Sequence, residues 1–226
     1  MQVQNETGID VRPPQSARCV VATLGAFLAV LGWSAILPHD YFTWFLEVAP
    51  ALIGLAVLAS TYPKFRFTNL VYALIAAQAI ILCIGGHYTY AREPVFSWIR
   101  DHWHLSRNYY DRVGHFAQGF VPAIIAREVF IRRRIVRRGG WMFFIVLCVC
   151  LAISAAYELV EWRVAVGTGS RADDFLGTQG DNCDTQEDMA TALIASIIAL
   201  VTLGRVHDRL LRQYVPETNV ASVPAC

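Results

Sequence analysis

Asp111 and His115 stand four residues apart, a spacing that puts both on one face of a helix, with Gln118 continuing that face. Glu158 and Glu161 share a face at spacing three. His115 or Glu158 would serve as general base, its partner holding a metal or a phosphate, and Asp111 is the third candidate catalytic residue. Carboxylate oxygens beside an imidazole also suit a divalent cation such as Mg, Mn, Ca or Zn, whose identity the pattern leaves open. No HExxH string and no nucleophile motif points to a particular reaction.

These groups lie in or beside apolar runs. The chain has 226 residues, of which 55% are hydrophobic and only 16% charged, against about a quarter in soluble domains. That deficit places it among membrane proteins. The net charge of +1 says nothing about a nucleic-acid partner, but no basic run is interleaved with aromatics in a polar context, so none is expected. Six stretches reach the length of a bilayer span: Cys19–Leu37, Tyr41–Ser60, Phe67–Gly86, Val113–Ile131, Trp141–Val160 and Met189–Leu203. The fold expected is all-α, a polytopic membrane bundle of about six transmembrane helices. Residues 18–206 form one membrane domain, flanked by tails 1–17 and 207–226. Pro94–His104 reads instead as a short interfacial helix, with Trp98 and Trp103 at headgroup depth. The cysteines form no CxxC and no metal-type spacing.

Arginine sets the orientation. Arg132, Arg133, Arg134, Arg137 and Arg138 crowd one short loop that resists translocation, whereas Arg92, Arg100, Arg107, Arg112, Arg163 and Arg171 are spread over two long ones. Both termini are therefore expected in the cytoplasm of a bacterial cell, the chain crossing the inner membrane. The polar groups then gather on the outer side. Besides Asp111, His115 and Glu158, they are Glu47, His87, Tyr88, Arg92, Gln118, Glu161, Arg171, Asp174, Asp181, Asp184 and Asp188. Ionisable groups cost a few kcal/mol inside a bilayer, so Glu47, His115 and Glu158 are expected to meet one another and a cation from His87, Arg92, Arg171 or a metal. The plainer reading makes Asp111 and Asp188 helix N-caps and the loop aspartates a solvated acidic surface.

Several strings resemble the YjdF family of bacterial inner-membrane proteins. They are Pro38-His39-Asp40, Leu46-Glu47-Val48-Ala49-Pro50, Gly85 to Tyr90, Tyr110 to Ala123, Tyr157 to Trp162, Phe175 to Asp181 and Asp188-Met189. The likeness spans nearly the whole chain apart from its tails. It implies an all-helical membrane bundle and carries no established reaction. The chain departs from that pattern at Cys183 and Glu187, where tryptophan is expected, and at Ala195, where glycine is. More loosely, Asp111, His115, Phe116, Glu158, Arg171, Asp174, Asp184 and Asp188 follow in the order seen in VanZ-like membrane proteins, which are associated with glycopeptide-antibiotic resistance. Glu161 stands there in place of an amide. The function expected is action on a lipid or lipid-linked envelope substrate, with membrane lipid as partner. The alternatives are a non-catalytic envelope or resistance factor that binds a headgroup or partner, and a small proton-linked transporter. Alkaline phosphatase inserted after Arg138 should be inactive, and inserted after Leu105 it should be active; the reverse pattern would invert the orientation.

Overall fold

The computed structural model describes residues 17–169 and 173–212, apart from the side chains of Asp173 and Asp174. Eight α-helices appear among these residues: α1 (Ala17–Ser34), α2 (Tyr41–Thr61), α3 (Asn69–Tyr88), α4 (Pro94–Trp103), α5 (Tyr110–Arg132), α6 (Gly140–Thr168), α7 (Asp173–Leu176) and α8 (Asp184–Leu211). A 3-10 turn, Tyr90–Arg92, links α3 to α4. No strand occurs among the described residues. The protein is an all-helical polytopic bundle.

Five helices, α1, α2, α3, α6 and α8, are long and apolar enough to cross a membrane. The sixth expected span, α5, has the length: its 23 residues rise roughly 34 Å. Its charges sit at its two ends, around the uncharged stretch Gly119–Ala126. Inside the bundle α5 packs against α3, α6 and α8, so those charges meet protein rather than lipid. Exposed Val57, Phe144, Ile153, Ile194 and Val201 present the apolar outer surface that a bilayer would cover.

The helices overrun the expected spans. α6 continues past Val160 to Thr168, and α8 starts at Asp184 and runs on to Leu211. Hydropathy marks where a helix crosses hydrocarbon, but the backbone ladder continues wherever the flanking charges find partners. Caps fix two other starts. The Asp40 carboxylate accepts from Thr43 N at 2.7 Å at the start of α2, and the Thr68 hydroxyl from Val71 N at 3.4 Å at that of α3. Helix α4 is capped by Glu93, buries none of its residues and exposes Val95, Trp98 and Trp103, as an amphipathic surface helix does.

Two apolar clusters hold the bundle. One joins Val71 and Tyr72 of α3, Ile124 of α5, Val146 and Cys150 of α6 and Leu211 of α8. The other packs Phe27 of α1 and Val48 of α2 on Ala79 and Cys83 of α3. The described cysteines are all free.

Helices α5 and α8 run parallel and touch where Gly119 lies on Ala192; a Cβ at Gly119 would run into the Ala192 backbone. At one end of this pair Glu128 is fully buried. It accepts from Thr68 N at 3.0 Å, the Thr68 hydroxyl at 2.8 Å, Arg132 at 2.8 Å and His207 Nε2 at 3.0 Å. The His207 Nδ1 lies 3.0 Å from Arg127. A guanidinium only donates, so Nδ1 accepts and the ring proton sits on Nε2, facing Glu128. Arg127 also meets Asp208 at 2.7 Å, and Arg138 meets the same carboxylate at 3.0 Å. This clamp ties α3, α5 and α8 together. Gly119→Ala should destabilise the bundle by about 1–3 kcal/mol or more through overpacking, read as a lower melting temperature in detergent. Gly54→Ala, where a Cβ would meet nothing within 4 Å, should leave it unchanged or raised.

Candidate functional site

The opposite end of the α5–α8 pair carries the carboxylates. Asp111 and Arg112 lie in the first turn of α5, and Asp184, Glu187 and Asp188 in the first turns of α8. Both helices point their positive N-termini here, which favours the anionic groups. Arg112 binds the Asp188 carboxylate, Asp184 at 2.9 Å, Glu187 at 2.8 Å and Asp111 Oδ2 at 3.1 Å. Arg107, just before α5, is 5% exposed. It reaches Asp184 at 2.6 Å, Asp181 at 3.1 Å and the Gly177 carbonyl at 2.9 Å. Gly177 has φ +63°, a conformation that glycine adopts at no steric cost, and it turns that carbonyl towards the guanidinium.

A polar seam closes the end of the bundle. The Asn108 amide donates to the Glu93 carbonyl and the Ser97 hydroxyl, both at 3.0 Å, and its oxygen accepts from Tyr110 N at 2.9 Å. Gln179 accepts from Asn108 N at 3.0 Å and donates to its carbonyl at 2.8 Å. These bonds fasten the loop before α8 to the start of α5. Phe175 of α7 is buried beneath.

One layer deeper sits His115, 4% exposed. Its Nε2 lies 3.5 Å from Asp111 Oδ1 and 3.6 Å from Asp188 Oδ1, and its Nδ1 3.7 Å from Glu158 Oε1. Nδ1 and that Glu158 oxygen are both buried without a hydrogen-bond partner. Asp111, His115 and Asp188 form the one group among the described residues whose donor atoms, all within 4.8 Å of each other, match a metal site. Glu47 of α2 is buried, and its Oε2 lies 3.5 Å from the Tyr157 hydroxyl of α6, whose ring faces His115. A cavity of about 360 Å³ opens beside these groups. Asp111, His115, Gln118, Tyr157 and Glu161 line its polar side, and Ile153 and Val160 its apolar side.

The structure thus brings Asp111, His115, Glu158, Glu47, Gln118, Glu161 and Asp188 together, with Asp181 and Asp184 around Arg107 above them. Three expected members stand elsewhere. The His87 Nδ1 lies 3.1 Å from the Ser34 carbonyl, and its ring and that of Tyr88 pack by Trp33, because α3 ends against α1. Arg92 is exposed in the 3-10 turn. Arg171 and the Asp174 side chain lie outside the described residues. Asp111 and Asp188 are ion-paired inside their helices rather than N-caps; the residues before α5 and α8 give no side-chain cap. The cations are Arg107 and Arg112, which composition alone marked only as loop charges. Their spacing carried the hint, since Arg107 stands four residues before Asp111. Tyr157 was flanked by Glu158 but has no charge to draw attention.

Helical membrane proteins with a buried ionisable cluster at one end of the bundle are the class this architecture defines. Residues 19–209 match the family described as "Predicted membrane protein (DUF2238)", and the chain belongs to it. It is 48% identical over 185 residues to the inner membrane protein YjdF of Escherichia coli strain K12, covering 82% of this chain and 88% of that protein. No solved structure matches the chain.

Removing Arg112 strands several buried carboxylates. Arg112→Met should cost about 3–5 kcal/mol in thermal or denaturant unfolding in detergent. Arg100→Ala, which removes an exposed pair with Asp101, should cost less than about 1 kcal/mol.

Proposed function

We propose that the protein acts at the outer leaflet of the bacterial inner membrane on a lipid or lipid-linked envelope substrate. The polar end faces the periplasm and both termini face the cytoplasm, a reading supported by the five arginines between α5 and α6 at the other end. The observation that carries the proposal is a continuous path from charge to hydrocarbon. The cavity beside His115 shares Pro50, Gln78 and Leu82 with an apolar groove of about 420 Å³ between α2, α3 and α5. Its outer edge lies between α2 and α6, where Ile153 and Val160 are exposed to the surroundings of the bundle. A polar head seated by Asp111, His115, Gln118 and Glu161 leaves room for a chain along the groove. Pro50 withholds one intrahelical hydrogen bond where the two spaces join, leaving the Leu46 carbonyl for another donor.

In this reading one of His115 and Glu158, which stand 3.7 Å apart, is the proton acceptor, and its partner holds a metal or a phosphate. Glu47 lies behind the cavity wall on the α2 side, 3.5 Å from the hydroxyl of the lining residue Tyr157. Native mass spectrometry of the detergent-purified chain should show a retained lipid or lipid-linked molecule. Ala156→Trp, which fills the cavity mouth, should lose it, and Ile194→Trp on the far surface of α8 should keep it. Retention of bulk lipid alone, or equal retention by both variants, would reject the proposal.

A further inference from the structure

We propose that Asp111, His115 and Asp188 bind one divalent cation through Asp111 Oδ1, His115 Nε2 and Asp188 Oδ1, with a fourth position open to the cavity.

The first ground is geometric. The distances of 3.5 and 3.6 Å from Nε2 to the two oxygens are too long for the charge-assisted hydrogen bonds that a buried imidazolium makes, which run at about 2.7–2.9 Å. They come close to two edges of a coordination tetrahedron, about 3.4 Å for metal–ligand bonds of about 2.1 Å, and all three donor atoms lie within 4.8 Å of one another. One imidazole and two carboxylates supply three nitrogen and oxygen ligands of the types zinc takes, leaving one position of a four-coordinate site open.

The second ground is independent of the acidic cluster. His115 is 96% buried in the sense that only 4% of its surface is exposed, yet its Nδ1 has no hydrogen-bond partner. Glu158 Oε1, equally unpartnered, stands 3.7 Å away. Binding at Nε2 fixes the ring proton on Nδ1, where Glu158 can take it, the arrangement by which carboxylates orient metal-bound histidines. Asp111 is split to match: Oδ2 faces Arg112 at 3.1 Å while Oδ1 faces the imidazole; Asp188 Oδ1 faces both the imidazole and Arg112 Nη1, so a cation there would share that oxygen with the guanidinium.

Charge balance is the third ground. Arg107 and Arg112 are shared among Asp111, Asp181, Asp184, Glu187 and Asp188. Glu158, behind His115, has no guanidinium partner among the described residues. A cation between the two groups offsets the surplus of negative charge in a dehydrated site. The proposal stands on this geometry whether or not the cavity takes a lipid.

The test uses the full chain in detergent, stripped with a chelator and reloaded with zinc or cobalt. Elemental analysis should give about one cation per chain, and cobalt should show the intense visible bands of a tetrahedral centre. His115→Ala should abolish binding, and Glu158→Gln should weaken it by about 10–100-fold. Asp101→Asn, on exposed α4, should bind as the unaltered chain does. The unaltered chain decides the question even if a variant fails to fold. No stoichiometric cation, or a weak octahedral cobalt spectrum, overturns the site, as does a folded His115→Ala that still binds. A chain that retains lipid but takes up no cation overturns the metal site alone, and a chain that binds the cation but retains no specific lipid overturns the lipid reading alone.

Discussion

A charged side chain withdrawn from water must find an opposite charge, and in this bundle that requirement is met almost entirely by α5 and α8. Arg107 and Arg112 gather the carboxylates at one end, and Glu128, His207, Arg127 and Asp208 interlock at the other. From Asp111 to Glu128 the helix rises roughly 26 Å, close to the thickness of a bilayer's hydrocarbon core of about 30 Å. Between the two poles α5 is uncharged, and Gly119 lets α8 approach along it. The remaining helices shield this polar pair on its flanks.

Two parallel helices need a third to return the chain between them, and α6 does so while contributing Tyr157, Glu158 and Glu161. Helices α1 and α2 pack on α3 rather than on α5, which leaves the space beside Pro50 open on one side. Departures from the pattern of the resembling family fall on α8 and just before it. Cys183 is exposed, Glu187 takes a share of Arg112, and Ala195 is buried in the helix interior. The extra carboxylate at Glu187 is therefore paired.

The bundle was legible because hydropathy is a long signal, averaged over some twenty residues. The convergence of Glu47, His115 and Glu158 followed from depth along each helix, which sequence position measures directly. Azimuth and loop folding were not so readable. His87 has the depth of the site but faces α1, and no local spacing distinguishes the two directions. Arg107 and Arg112 lie close to the carboxylates in space because the loop around Gly177 and Gln179 folds over α5, a contact across some seventy residues. His207 stands beyond the last apolar run, so hydropathy assigned it to a tail, though the helix carries it into the core.

The touching point of Gly119 and Ala192 also acts as a fulcrum. Asp188 lies four residues from it, roughly 6 Å along the axis, and His207 fifteen residues on the other side, roughly 22 Å. Any rocking of α8 over α5 is therefore magnified several-fold at the long arm relative to the short one. Glu128 holds the long arm through His207, so a restraint at one end of the bundle bears on the short arm that carries Asp188 at the other.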